Sequence, residues 1–228
     1  MLIAAVIPCY NEAEYIESVL METKKHVDTV IVSDDSSKDN TVMLARNMGA
    51  LIVANNNGKH GAGITTWRGI WEANRIGADI IVTLDGDGQH SPFDIPRVIN
   101  PLIENKCDMV TGTRIINYSN MPTYRRIGND FLTYLYNVGY KDHISDSQCG
   151  FRAYKRDVFN KVRIDEDGFG FCSEILIKAR RAKLNIQEVP VTCIYHNGLK
   201  SNSTLSPIIH ASKVAGNIIK WRLNELSR

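Results

Sequence analysis

Apolar residues fall along this chain in short runs, separated by stretches of helical length that are apolar on one side only. Leu2 to Ile7 is a continuous apolar run, the pattern of a strand covered on both faces. Glu12 to Lys25 then places Ile16, Val19 and Leu20 on one side of a predicted helix. A β-type run from Thr29 to Val32 ends in Ser33-Asp34-Asp35-Ser36-Ser37. Asp39 or Asn40 can cap the next helix, which reaches about Met48 before Gly49 stops it. Ala50 to Ala54 reads as a strand, Asn55 to Gly58 as a turn, Ile64 to Ile76 as a helix closed by Gly77, and Asp79 to Leu84 as a further strand. This strand–helix alternation predicts an α/β chain with a parallel sheet and helices on both faces.

The pattern changes after about residue 115. Thr123 to Tyr140 predicts a helix rich in aromatic residues, among them Tyr124, Phe131, Tyr134 and Tyr136. Asp146 to Arg152 is a polar turn running into a short strand, followed by a helix over Phe171 to Leu184 and a strand over Ile186 to Val191. A last helix starts near Pro207, a good first-turn residue. Its pattern puts Ile208, Ala215, Ile219, Leu223 and Leu226 on one face and His210, Lys213, Asn217, Lys220 and Asn224 on the other. Such a helix either packs on the core or lies at a membrane interface, where Trp221 and the basic residues suit lipid headgroups.

Composition narrows the class without naming the chemistry. A length of 228 residues suits one sizeable domain, and 43% apolar with 23% charged residues is ordinary for a soluble globular chain. A net charge of +2 does not suggest a nucleic-acid binder. The five cysteines are scattered, with no Cys-x-x-Cys and no Cys/His cluster. Neither structural zinc nor a disulfide scaffold is expected, and a reducing, cytoplasmic compartment is. No stretch approaches the roughly 20 apolar residues that span a bilayer. The N-terminal run is too short, and lacks the basic flank, to be a signal peptide.

The most informative chemistry is Asp85-Gly86-Asp87-Gly88-Gln89-His90, directly after a run of β-formers. In extended backbone, residues i and i+2 point to the same side. Two carboxylates so placed repel unless a cation lies between them. Mg²⁺ and Mn²⁺ favour oxygen ligands, and Mg²⁺ is commonly held by one or two carboxylates plus substrate phosphates. The glycines keep the loop small enough for a bulky ligand to approach. A plain polar turn is the competing reading. An EF-hand is excluded because the twelfth position from Asp85 is Pro96. Gly61-Ala62-Gly63 has Thr66 where a dinucleotide fingerprint needs its third glycine, and no Gly-Lys-Ser/Thr occurs. Pro8 to Glu12, Asp34-Asp35 and Asp85 to Gln89 all fall at carboxyl ends of predicted strands, where open parallel sheets bind ligands.

Six motifs, in order, resemble the family 2 glycosyltransferases with the GT-A fold. They are Ile7-Pro8-Cys9-Tyr10-Asn11-Glu12, Val32 to Thr41, Asn57-Gly58-Lys59-His60-Gly61, Asp85 to His90, Gly112-Thr113-Arg114, and Asp146-Ser147-Gln148-Cys149-Gly150-Phe151-Arg152-Ala153-Tyr154. The last of these, the helix arginines and Glu188-Val189-Pro190-Val191 are most similar to the polyprenyl-phosphate sugar transferases of the dolichol-phosphate mannose synthase type. The resemblance implies one GT-A domain over 1–228: a nucleotide-sugar half at 1–115, an acceptor half at 116–206 and a C-terminal helix at 207–228. It implies that Asp85, Asp87 and Gln89 hold Mg²⁺ or Mn²⁺ against the donor's diphosphate. Pro8, Tyr10, Asn11, Glu12, Asp34, Asp35, Lys59, Gly86, His196 and Lys200 would complete the nucleotide-sugar site. Arg114, Arg126 and Arg152 match positions that hold the acceptor phosphate, a fit for guanidinium fork geometry. Asp87, Arg114, Arg126 and Asp146 are the expected catalytic set, and Glu174 matches an acidic residue on the following helix.

The chain departs from the family in its late loop, where Arg-x-x-Gly-x-Ser-Lys is replaced by His196-Asn197-Gly198-Leu199-Lys200-Ser201. It also shows none of the C-terminal membrane helices that many relatives carry. The implied activity is metal-dependent, inverting transfer of a hexose, mannose or glucose, from a GDP-mannose or UDP-glucose type donor to polyprenyl or dolichyl phosphate. A phosphate monoester is mostly dianionic at neutral pH and needs little help from a base. A sugar-hydroxyl acceptor in glycan assembly would need one, with Asp146 or Glu174 as candidates. A non-catalytic nucleotide-sugar binder is the remaining alternative. The expected location is cytoplasmic, peripheral to a membrane through the final helix or a small membrane-anchoring partner, with no nucleic-acid partner.

Overall fold

The computed structural model describes residues 1–55, 58–114, 121–195 and 207–226, with the side chains of all of these except 207–210 and 224–226. Along the chain come β1 (Ile3–Cys9), α1 (Ile16–Thr23), β2 (Thr29–Asp34), α2 (Thr41–Asn47), β3 (Leu51–Ala54), α3 (Ala62–Arg75), β4 (Ile80–Thr83) and α4 (Ile95–Ile103). They are followed by β5 (Met109–Thr113), α5 (Thr123–Asn137), β6 (Arg152–Lys155), α6 (Phe171–Arg181), β7 (Ile186–Pro190) and α7 (Pro207–Leu226). The expected α/β class and C-terminal helix are both present. The segment between Leu84 and Thr123, which the apolar pattern left unassigned, holds α4 and β5. Prolines at 96 and 101 and the glycine at 112 mask them, yet Pro96 occupies the first turn of α4, where a missing N–H costs nothing. The first helix starts at Ile16 rather than Glu12, because Glu12 spends its carbonyl on a turn, accepting from the amides of Tyr15 (3.0 Å) and Ile16 (2.9 Å).

The strands form one sheet in the order β3-β2-β1-β4-β6-β5-β7. All neighbouring pairs are parallel except those of β6, which runs against β4 and β5. Successive residues of the central strands feed opposite cores. Val6, Ile31, Ile81 and Met109 face one cluster with α3, α5, α6 and α7, while Ile7, Val32, Val82 and Val110 face the other with α1 and α4. Cover on both faces is why these strands read as unbroken apolar runs.

The final helix sits differently from its expected face. It packs against α5 and α6 through Val214, Ala215 and Ile218, with Arg181 donating to the Trp221 carbonyl and Arg222 to the Val138 carbonyl. Asn217, expected on the polar side, points inward and donates to Glu166 Oε2 at 2.7 Å. Ile219 and Leu223, expected with Ala215, remain exposed. The apolar face is thus rotated towards Val214 and Ile218, the side chains buried in the cluster shared with α5 and α6.

Candidate active site

The register of the sheet gathers the polar loops. Cys9 pairs with Asp34, levelling the ends of β1 and β2, and β4 and β5 finish on the same edge. Strand β6 enters where the others leave: its first residue, Arg152, is level with Thr83 and Thr111. Residues 10–15, 35–40, 84–90, 114 and 146–151 therefore share one rim. The chain reverses its lateral direction at β1, between β2 and β4, the position at which open sheets leave a crevice.

On the β1–β2 side the loops are braced from within. Asn11 takes φ +57°, a conformation Asn tolerates better than most residues. Its Oδ1 accepts from Lys38 N at 2.8 Å while its own amide donates to Ser37 Oγ at 2.8 Å. The Glu12 amide donates to Thr41 Oγ1 at 2.8 Å. Lys59 Nζ stands 3.8 Å above the Tyr10 ring, a cation–π contact joining two residues expected in the nucleotide site. Pro8, within β1 and level with Ser33 of β2, is half-buried.

The aspartate doublet divides its labour. Asp35 accepts from the amides of His60 and Gly61, both at 2.8 Å, and so anchors the loop before α3. Asp34 accepts from Ser37 N through Oδ2 at 2.9 Å, but its Oδ1 is buried with no hydrogen-bond partner. A buried, unpartnered carboxylate oxygen at a cleft is costly unless a ligand supplies a donor. The Gly61–Gly63 pair serves packing: a Cβ on Gly61 would lie 2.4 Å from the Asp167 carbonyl, and one on Gly63 would lie 1.9 Å from the Glu166 carbonyl.

The acidic motif after β4 is not extended, contrary to the expected strand-end geometry. The strand ends at Thr83, and Gly86 to Gly88 turn, with Gly88 at φ +71°. The missing side chain of Gly86 makes room for protein: a Cβ there would lie 2.6 Å from Cys9 Sγ. Asp87 accepts from its near neighbour Gln89 twice, from the amide at 2.9 Å and from Nε2 at 2.6 Å. Asp85 keeps about half of its side chain exposed (47%), alongside Gly150. Crowding by protein raises its carboxyl above the ordinary value, with Arg114 pulling the other way. Buried His90 braces the turn, its Nδ1 3.3 Å from both the Asp85 amide nitrogen and Oδ2. Burial lowers its pKa to about 4, so the ring is neutral at pH 7.

Two carboxylates and an amide oxygen form a hard donor set. Among the described residues no group of three or more His, Cys, Asp or Glu side chains converges to hold a metal. Oxygen donors of this kind are the ones that Mg²⁺ and Mn²⁺ favour.

Opposite lies an arginine clamp. Arg114 donates from Nε to Asp146 Oδ2 at 2.7 Å, from Nη2 to Asp146 Oδ1 at 2.9 Å and to Asn129 Oδ1 at 3.1 Å. Asp146 is fully buried and also accepts from the Gln148 amide at 3.1 Å. Burial alone would raise its carboxyl, but Arg114 outweighs burial and holds it below the usual carboxylate range. Glu188 supports the turn, accepting from Ser145 N at 2.8 Å and Ser145 Oγ at 3.1 Å. Arg126 lies three residues before Asn129 on α5, on the same helix face.

Two residues take posts other than those expected. Arg152 is wholly buried, donating to the Cys172 carbonyl at 2.7 Å and the Ser147 carbonyl at 3.0 Å, so it ties the 146–151 turn to α6 rather than facing an acceptor phosphate. Glu174 is buried as well, accepting from the amides of Asp165 and Glu166 and pairing with Lys178 at 2.7 Å, which leaves it no role as a base in the cleft. His196 and Lys200 lie outside the described residues. Asn129 was not singled out in the sequence; its position one turn after Arg126 was the available signal.

With this geometry in place, comparison with known proteins is informative. The profile of Glycosyl transferase family 2 matches residues 4–163. The chain is 38% identical to the UDP-N-acetylglucosamine–dolichyl-phosphate N-acetylglucosaminyltransferase of Methanococcus voltae, covering 85% of this chain and 86% of that protein. It is 29% identical to the dolichyl-phosphate hexose transferase of Haloferax volcanii, covering 99% and 96%. Among solved structures, glucosyl-3-phosphoglycerate synthase of Mycobacterium tuberculosis, crystallised with Mn²⁺ and UDP-glucose, superposes with a TM-score of 0.71 at 22% identity, over 98% of this chain and 78% of that one. That likeness carries the fold.

Proposed function

The chain belongs to glycosyl transferase family 2, and from that premise we propose that it moves a sugar from a nucleoside diphosphate sugar to the phosphate of a dolichyl-type polyprenol. The observation that carries this reading is the opposition, on one rim, of the acidic turn after β4 and the carboxylate-held Arg114 after β5. The 146–151 turn lies between them, with Gly150 against Asp85 and Asp146 on Arg114. Relatives named for N-acetylglucosamine and for hexose share a dolichyl-phosphate acceptor, so the acceptor is the steadier part of the inference. Mannose and glucose remain the hexoses proposed here, with N-acetylglucosamine as the competitor in a donor panel.

The chain's own groups divide the work. Asp34 Oδ1 is placed to accept from a base N–H or a ribose hydroxyl. Asp85 and Asp87, with Gln89, would hold Mg²⁺ or Mn²⁺ beside the donor phosphates; such an ion, when bound, offsets charge on the departing diphosphate. Arg114 has Nε and Nη2 committed to Asp146 and Asn129, which aims the guanidinium and leaves Nη1 without a hydrogen bond among the described residues. That edge, with Arg126, is offered to the acceptor phosphate. A phosphate dianion so held is already a nucleophile, and positioning is what remains for the protein to supply. The commitment of Asp146 to Arg114, and of Glu174 to the 165–166 amides, counts against a hydroxyl acceptor, which would need a free base.

The test is incubation of purified protein with labelled GDP- and UDP-sugars, a short-chain polyprenyl phosphate and Mg²⁺ or Mn²⁺, followed by lipid extraction. Label should enter the lipid fraction with one class of donor and with inversion at the anomeric carbon. Absence of lipid-linked label with every donor refutes the proposal.

A further inference from the structure

We propose that Asn217 of α7 is a positioning residue for the sugar donor: acting through Glu166, it holds the loop that carries Lys59 in its binding geometry. This deepens the nucleotide-sugar reading, rests on it, and adds the C-terminal helix to that site. The loop buries little of itself. Gly58, Lys59 and His60 are all exposed, and α3 begins only at Ala62. A segment with so few buried contacts keeps one shape only through the groups that tie it down.

Two clamps do so, from different elements. One is Asp35, which takes the amides of His60 and Gly61. The other is the segment 165–168, whose Asp167 carbonyl accepts from the Gly63 amide at 2.9 Å. The contact is backbone against backbone. A Cβ on Gly61 would lie 2.4 Å from the Asp167 carbonyl oxygen, and one on Gly63 would lie 1.9 Å from that of Glu166. No side chain stands between the two segments to absorb movement, so a shift of 165–168 passes straight to residues 60–63.

Segment 165–168 is fixed in its turn by two helices. Glu174 of α6 accepts from the amides of Asp165 at 3.1 Å and Glu166 at 3.0 Å. The Glu166 side chain folds back across Gly168 and Gly170, where a Cβ would lie 3.5 Å from Oε1 and 3.2 Å from Cγ. Its Oε2 accepts from Asn217 Nδ2 at 2.7 Å, and Asn217 is the one side chain bonded to that carboxylate among the described residues. A hydrogen bond to a charged group at this length is a strong one. Asn217 is presented from a docked helix, since Val214, Ala215 and Ile218 beside it are buried. The polar residue on the packed side of α7 thus carries the helix's position to Glu166. Backbone contact carries it on to the loop of Lys59, whose Nζ stands over the Tyr10 ring.

The experiment is calorimetric titration of UDP and of GDP, with Mg²⁺, into the full chain and three variants. Asn217→Leu removes the bond. Asn217→Asp sets carboxylate against carboxylate. Asn217→Asp/Glu166→Gln rebuilds the bond with donor and acceptor exchanged, at the net charge of the wild type. Both single variants should bind the preferred nucleotide about fivefold or more weakly, and the exchanged pair should return to within about twofold of the wild type. Amide hydrogen exchange should quicken at His60, Gly61 and Gly63 in the single variants while the amides of β1 stay unchanged. If Asn217→Asp is too unstable to assay, uncharged Asn217→Leu carries the same prediction. A role confined to stability gives the opposite split, a lower Tm with unchanged nucleotide affinity below the melting range, and that result overturns the proposal. So does weakened binding that the exchanged pair fails to rescue. If the wild type binds neither UDP nor GDP, the nucleotide-sugar reading falls and this proposal with it; if it binds and every variant binds alike, this proposal alone falls.

Discussion

Asp146→Asn isolates the clamp that aims Arg114. The substitution keeps shape and removes charge, leaving the guanidinium facing a neutral amide. In the native protein Asp146 is 0% exposed and Arg114 only 17% exposed, and the two share a bidentate pairing at 2.7 and 2.9 Å. Breaking one side of a buried pair typically costs about 3–5 kcal/mol. The partial exposure of Arg114 and the capacity of Asn to accept one of its bonds put the expected loss near the lower end, about 3 kcal/mol. For a chain of this size that is a fall in Tm of roughly 6–12 °C. Urea denaturation of the wild type, Asp146→Asn, Arg114→Met and the double variant gives the coupling directly, expected at about 2 kcal/mol or more. The sign with pH follows from the depressed carboxyl. Its contribution is fully present above the unfolded value of about 3.9 and is lost as pH falls through the lower folded value. The gap between wild type and variant should hold constant from pH 5 to 8 and close only below about pH 4. A gap under about 1 kcal/mol, or one that narrows between pH 5 and 7, would refute the buried-pair account.

Other perturbations separate ligand contacts from braces. Asp34→Asn keeps the bond from Ser37 but loses the unpartnered anionic oxygen; calorimetric titration with the donor should show about tenfold weaker binding at unchanged Tm. Asp35→Ala strips the acceptor from His60 and Gly61, and a stability loss of about 1–3 kcal/mol should appear in denaturant melts without any donor present. Gly63→Ala drives a methyl into the Glu166 carbonyl and should destabilise by about 1–3 kcal/mol, whereas Gly216→Ala, with open space around it on α7, should be neutral or stabilising by up to about 1 kcal/mol. Chelation should abolish transfer, Mg²⁺ or Mn²⁺ should restore it, and Asp87→Ala should keep its Tm yet gain nothing from added metal, as read by lipid-linked product.

Much of the first half of the chain was legible because its polar clusters are local. The apolar runs of β1, β2 and β4 each stop at a polar cluster, and a parallel sheet puts such stops on one rim. What was illegible depended on partners distant in sequence. Nothing near Arg152 announces that its guanidinium is buried against the Cys172 carbonyl, 20 residues away. Glu174 reads as a surface acid until the 165–166 amides fold onto it. The face of α7 was misjudged because helical periodicity reports one apolar stripe, whereas packing against both α5 and α6 selects Val214 and Ile218 over Ile219 and Leu223. The two aspartates at 34 and 35 are chemically alike in the sequence, and only the fold separates Asp35, which braces the loop before α3, from Asp34, whose Oδ1 is left unpartnered.

The reversed strand β6 explains why the acidic turn after β4 and the Arg114 clamp meet at all. In a wholly parallel sheet each loop on the ligand edge follows a strand, and the residues preceding a strand lie on the far edge. Because β6 runs against β4 and β5, the segment before it, 146–151, reaches the ligand edge instead. That segment delivers Asp146 to Arg114 from one side and Gly150 to Asp85 from the other. It is fastened by buried Arg152 through the Ser147 carbonyl and by Thr83 donating to the Gly150 carbonyl at 2.8 Å. Gly150 lies directly against Asp85, where a Cβ would stand 3.4 Å from Oδ1, an ordinary contact that a small side chain could make. The acidic turn and the arginine clamp are thus held in register by one short antiparallel strand, so a change that loosened β6 would impair both at once rather than either alone.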